Sequence, residues 1–183
     1  GRFVSGLFDP ALPVHTAWDL GYDDATAILF WQRAGRECRI IDCYENSNED
    51  TAHYCDELIS RAATKGYKYG MHYVPHDAAN KLMAAGGRSI VEQAWEKGIK
   101  MQVVAATSQQ NQIEALRLVL ASTWFDEDLA TYAVHALNSY HFEYDDDRKF
   151  RRAQLHLHQQ QLFAQPRHLL VIIFFGQLVL QFS

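Results

Sequence analysis

Val14-His15-Thr16-Ala17-Trp18-Asp19, the break Leu20-Gly21-Tyr22-Asp23, and the run Ala25-Thr26-Ala27-Ile28-Leu29-Phe30-Trp31-Gln32 decide the fold. The first six residues alternate, with Val14, Thr16 and Trp18 facing one way and His15, Ala17 and Asp19 the other, as a strand requires. The nearly continuous apolar run at 25–32 reads as a strand buried on both faces. Residues 38–45, rich in β-branched and aromatic side chains, read as a third strand. The breaks at 20–23 and 33–36 are hairpin-sized and contain Gly21 and Gly35. The chain therefore opens as an antiparallel three-stranded meander.

The period then changes. Asp50 is placed to cap a helix whose apolar side is Cys55, Leu58, Ile59 and Ala62. Residues 67–75 read as a fourth strand. Ser89 and Glu92 have capping-box spacing at the start of a helix that Gly98 ends. Residues 101–105 give a fifth strand. Asn111 caps a further helix with Ile113, Leu116, Arg117 and Leu120 along one side, and residues 127–140 read as helical. A meander followed by crossover units predicts an α/β mixed sheet, three antiparallel strands then two parallel ones, with helices on both faces. Pro10 and Pro13 make residues 1–13 a linker or extended lead-in.

The 183 residues carry 17 basic and 22 acidic side chains, a net charge of −5 that argues at first against a nucleic-acid partner. The charge is uneven. Residues 148–183 hold five basic residues (Arg148, Lys149, Arg151, Arg152 and Arg167) and no acidic one, which leaves residues 1–147 at −10. Cys38, Cys43 and Cys55 lack zinc-site spacing and read as reduced core thiols, with Cys38 and Cys43 on opposite faces of their strand. No signal peptide opens the chain, and a start at Gly1 reads as a fragment or processed chain. The apolar stretch from Leu169 is too short to span a membrane, so no membrane partner is expected. There is no P-loop.

Two aspartates stand out by position. Asp19 ends the first strand and Asp77 follows the fourth. If those strands are parallel neighbours, about 4.8 Å apart, both carboxylates leave one sheet edge and reach one metal site. Hard oxygen ligands suit Mg²⁺ or Mn²⁺, and a two-ion site suits phosphodiester hydrolysis. Turn formation or helix capping is the plainer role for a strand-end aspartate. His72 reads as a buried or hydrogen-bonded histidine. His76 sits beside Asp77, where it would orient that carboxylate or meet a phosphate. Arg88, after Gly86-Gly87, is a phosphate contact or a surface arginine. Arg33, Arg36 and Arg39 flank the second hairpin as groove-lining or plain surface charges, and Trp31, Trp95 and Trp124 read as packing residues.

Segments spread along the chain carry a resemblance. Trp18-Asp19-Leu20-Gly21-Tyr22-Asp23-Asp24-Ala25, Ile41-Asp42-Cys43-Tyr44-Glu45 and Tyr69-Gly70-Met71-His72-Tyr73-Val74-Pro75-His76-Asp77-Ala78 are three of them. Gly87-Arg88-Ser89, Gln112-Ile113-Glu114-Ala115-Leu116-Arg117 and Trp124-Phe125-Asp126-Glu127 follow in order. Together these resemble the nuclease domain of tailed-bacteriophage terminase large subunits over residues 14–147. The resemblance implies an RNase H-like fold and a two-metal endonuclease that cuts concatemeric viral DNA during genome packaging. It also implies a separate ATPase domain, a small terminase subunit, a portal and double-stranded DNA as partners, in the host cytoplasm. Its metal aspartates map onto Asp19, bridging two Mg²⁺ or Mn²⁺ ions, and Asp77. Asp24 matches an acidic position that reads as a turn or supporting residue.

The match fails at the end. The family's third metal aspartate lies on a C-terminal helix, and no carboxylate follows Asp147. Residues 148–183 read as a divergent tail, for which a reading-frame shift is one account. Substitute ligands from His156, His158 or His168, or from the Asp145-Asp146-Asp147 run, are others. A nuclease impaired by loss of the third carboxylate is the leading expectation. A different RNase H-like enzyme such as a transposase, or a non-catalytic DNA-binding or assembly module, are the alternatives.

Overall fold

The computed structural model describes residues 2–21, 25–81, 86–131, 133–134, 140–145, 150–155 and 174–179. The meander is β2 (Val14–Asp19), β3 (Thr26–Ala34) and β4 (Glu37–Asn46), each antiparallel to the next. After α1 (Thr51–Lys65) the chain returns as β5 (Tyr69–Val74), parallel to β2. A 3₁₀ turn (His76–Ala79) and α2 (Ile90–Glu96) lead to β6 (Met101–Val103), parallel to β5. This is the mixed sheet expected from the sequence. Two further strands extend it. β1 (Arg2–Val4) lies parallel to β7 (Thr123–Asp126), which lies parallel to β4, giving the order β1-β7-β4-β3-β2-β5-β6. Part of the extended lead-in thus serves as an edge strand. Buried polar side chains hold it there: Gln32 accepts from the Asp9 amide and donates to the carbonyls of Asp9 and Leu12, and Asp126 Oδ2 accepts from the Leu7 amide.

Helices cover both faces. Ile28, Phe30 and Ile41 pack under α1 with Tyr54, Cys55 and Leu58, alongside Val14 and Trp18. Ala27, Leu29 and Trp31 face the other way, against α3 (Gln109–Leu120) through Ile113, Leu116 and Val119. Strand β3 is therefore the double-faced element its apolar run predicts. Asp50 caps α1, its Oδ1 accepting from the His53 amide at 2.9 Å, and Ser89 with Glu92 forms the predicted capping box on α2.

Several details differ from the sequence reading. Ser108, three residues before Asn111, caps α3, and the Asn111 amide donates to its hydroxyl. Arg117 faces solvent, and Val119 is buried with Ile113 and Leu116. Trp95 is 65% exposed rather than packed. Cys38 and Cys43 share the α3-side core, because the β3–β4 register slips by one residue after Phe30–Asp42 and leaves Ile41 as the extra residue of a bulge. All three cysteines are buried free thiols. Residues 127–140 do not form one helix, since Tyr140 starts the hairpin β8 (Tyr140–Asp145) and β9 (Phe150–Leu155).

Part of the tail belongs to the core. Residues 174–179 are helical, and Phe174, Phe175, Leu178 and Val179 are buried against the α3 side of the sheet. Phe175 meets Trp31 edge-on at 5.3 Å, and Gln177 donates to the Ala105 carbonyl. A side chain at Gly176 would meet the Leu116 Cα at 2.5 Å, so the two backbones approach as closely as glycine permits.

One polar cluster ties α1 to the sheet. Asp42 is buried beneath it and accepts from Arg61, from Lys65 Nζ at 2.6 Å and from the Tyr67 hydroxyl at 3.1 Å. The Arg61 guanidinium also stacks over Phe30 and Tyr44. Removing one member of a buried ion cluster strands the charges left behind. Asp42→Ala should therefore cost about 3 kcal/mol of stability, read from the urea midpoint at unchanged m-value.

Candidate metal centre

The site begins with strand register. Ala17 of β2 lies beside Tyr73 of the parallel β5. Asp19, two residues past Ala17, and Asp77, four past Tyr73, therefore leave the same C-terminal edge of adjacent strands. The two aspartates singled out in the sequence thus fall at one sheet edge. Pro75 ends β5, and the 3₁₀ turn carrying Asp77 is closed by the Ala78 amide on the Pro75 carbonyl at 3.1 Å. Ala78 packs into the α1-side core and fixes that turn.

Asp77 Oδ1 is buried and has no hydrogen-bond partner among the described residues. A buried carboxylate oxygen without a donor is costly unless a cation or proton compensates it. This orphaned atom, with a second carboxylate on the neighbouring strand, fits a hard divalent ion. No group of three or more His, Cys, Asp or Glu side chains able to hold a metal occurs among the described residues.

The other candidates fall in different places. His76 is exposed at the start of the 3₁₀ turn. Arg88 is also exposed and bonds Glu96 Oε2 at 2.6 Å, next to the capped end of α2. Asp24, Asp146, Asp147, His156, His158 and His168 lie outside the described residues, and Asp145 closes β8. The hairpin between β3 and β4 holds Arg33, Arg36 and Arg39 at the opposite edge of the sheet from Asp19, because β3 runs antiparallel to β2. Glu45, given no role in the sequence reading, falls on the Asp19 face. Its face depends on the bulge at Ile41, which no sequence pattern announces.

His72 is structural in its contacts. It is buried under α1, its Nδ1 lies 2.9 Å from Thr16 Oγ1, and that hydroxyl accepts from the Trp18 indole at 2.8 Å. Burial pushes its pKa down to about 4 from 6.5, with nearby His15 adding to the shift.

This sheet, an antiparallel meander with parallel strands on either side, is similar in fold to terminase nuclease domains. No family model matches the chain, and no curated protein matches it. Solved structures do. A large terminase from a thermophilic bacteriophage superposes with a TM-score of 0.70 at 16% identity, over 98% of this chain and 43% of that one. The large terminase nuclease of the thermophilic phage G20c with bound magnesium gives 0.62 at 13%, over 93% and 83%. The nuclease domain of the bacteriophage SPP1 large terminase with bound Mn gives 0.55 at 12%, over 96% and 95%. The chain spans less than half the length of the first of these proteins and matches most of the two nuclease structures. At these identities the likeness establishes the fold.

Burial of His72 has a pH consequence. Above pH 6.5 the ring is neutral in folded and unfolded chains alike, and it adds no pH dependence. Between pH 6.5 and about 4 the unfolded chain takes up a proton that the folded chain refuses, so stability falls with pH by at most about 1.4 kcal/mol per unit. His72→Gln, which keeps a hydrogen-bonding group without titrating, should flatten that part of the denaturation profile.

Proposed function

We propose that this chain is the nuclease module of a phage large terminase, a metal-dependent endonuclease that cuts concatemeric viral DNA as genomes are packaged in the host cytoplasm. The observation that carries the reading is the meeting of Asp19 and Asp77 at one edge of two parallel strands, with Asp77 Oδ1 buried and unpartnered among the described residues. The same metal class supports it: related folds were solved with cobalt, magnesium and Mn bound. An ATPase domain, a small terminase subunit and a portal are the partners the reading implies.

Mg²⁺ or Mn²⁺ held at this edge by Asp19 and Asp77 would supply an activated water and a counter-charge for the leaving oxygen. The chain's own residues prepare the place. Asp19, paired with Ala27 of β3 at the end of the ladder, offers a carboxylate at the C-terminal edge of β2. Asp77 is fixed by its 3₁₀ turn and by Ala78 in the core. His76, exposed beside Asp77, would meet a DNA phosphate, and Asp24, outside the described residues, keeps only the supporting role that the resemblance implies. The carboxylate that the family carries on its C-terminal helix has no counterpart in the sequence after Asp147, so activity is weak.

Supercoiled plasmid should be nicked slowly in Mn²⁺ and not in EDTA. Asp19→Asn and Asp77→Asn should each lower the rate by about a hundredfold or more while leaving the thermal transition in place. Nicking that persists in both variants, or in EDTA, contradicts the reading.

A further inference from the structure

Strand register brings a third carboxylate to the face that holds Asp19. Asp19 lies opposite Ala27 across the β2–β3 pair, and Ala27 lies opposite Glu45 across β3–β4. Directly opposed residues of antiparallel strands project from the same face. Asp19, Ala27 and Glu45 are thus one cross-strand row, two carboxylates with a methyl group between them. The face is the α3 side, since Ala17, Leu29 and Cys43, two residues along each strand, lie in that core. Two strand spacings, about 9.6 Å, separate the Asp19 and Glu45 backbones. The glutamate side chain can reach roughly half way across that gap over Ala27, while Asp77 follows β5, the strand on the other side of β2.

In strand order Asp19 on β2 lies between Glu45 on β4 and Asp77 after β5. The three do not converge on one point, in keeping with the lack of a three-residue cluster among the described residues. Mg²⁺ and Mn²⁺ sites do not require one. Such an ion is commonly held by one or two carboxylates, with water and substrate phosphate filling the other positions.

We propose that Glu45 is a metal-ligating residue: Asp19 and Asp77 hold one divalent ion, and Asp19 and Glu45 hold a second. Strand β4 then supplies a carboxylate that the tail lacks. The inference rests on the metal-dependent reading of Asp19 and Asp77 above. It also depends on the bulge at Ile41, which turns Cys43 and Glu45 to the α3 side and Asp42 to α1.

The test is calorimetric titration of Mn²⁺ into the whole chain without DNA, with thermal unfolding in EDTA as the control for folding. The native chain should take up two ions. Glu45→Gln should weaken one of them by about tenfold or more and spare the other. Glu45→Asp, which keeps the charge on a shorter side chain, should weaken the same ion less. Asp77→Asn should weaken the other ion and leave the Glu45-dependent one. If Glu45→Gln and Glu45→Asp titrate like the native chain while Asp77→Asn does not, Glu45 is no ligand and the Asp19–Asp77 reading stands. If the native chain binds no Mn²⁺, both inferences fall.

Discussion

Strand β2 is paired on both sides, antiparallel to β3 and parallel to β5, and the site depends on that double pairing. Each backbone amide and carbonyl inside a sheet needs a partner, so the ladders leave β2 little freedom to slide. A shift of one residue would also turn Trp18 out of the α1-side core and bring Ala17 into it. The hydrophobic pattern of β2 thus fixes where Asp19 emerges. The parallel pairing with β5 requires a crossover, which α1 provides, and Asp42 under α1 binds that crossover to the sheet. A buried cluster far from Asp77 therefore helps set the strand from which Asp77 emerges.

Local pattern made much of this legible. The alternation at 14–19, the double-faced run at 25–32 and the Asp50 and Ser89 caps are short-range signals, and the structure keeps them. The parallel approach of the strands bearing Asp19 and Asp77 stood as a condition in the sequence reading, one of the few topologies a meander and crossover leave, and the structure has it. What stayed hidden was long-range. β1 and β7 are three and four residues long and pair with each other across more than a hundred positions. Buried Gln32 and Asp126 hold the segment that follows the first of them, and nothing in their sequence neighbourhoods marks them as anchors.

The bulge at Ile41 shows the same limit within one strand. Strict alternation places Cys38 and Cys43 on opposite faces, and the extra residue puts them on one. The face of Glu45 depends on the same step. The tail is the converse case. Its composition gives no helix period, yet residues 174–179 fill the α3 side of the core, where Gly176 allows backbone contact with Leu116. Burial against an existing apolar surface can order a segment whose own pattern is weak.

The acid-rich balance of residues 1–147 takes on a different meaning once the carboxylates are placed. Part of that charge is consumed internally: Asp42 by Arg61, Lys65 and Tyr67, and Asp126 by backbone amides. Asp19, Asp77 and Glu45 are instead gathered near one edge, where they would repel a phosphodiester backbone. Under the proposed reading, two divalent ions shared by these three carboxylates would leave that edge with a net positive charge. Under that proposal, DNA binding and metal binding would be coupled, since Mg²⁺ and Mn²⁺ sites commonly leave positions for substrate phosphate. An acidic chain can in this way have a polyanion as its substrate, with the cation as the intermediary between two surfaces of like charge.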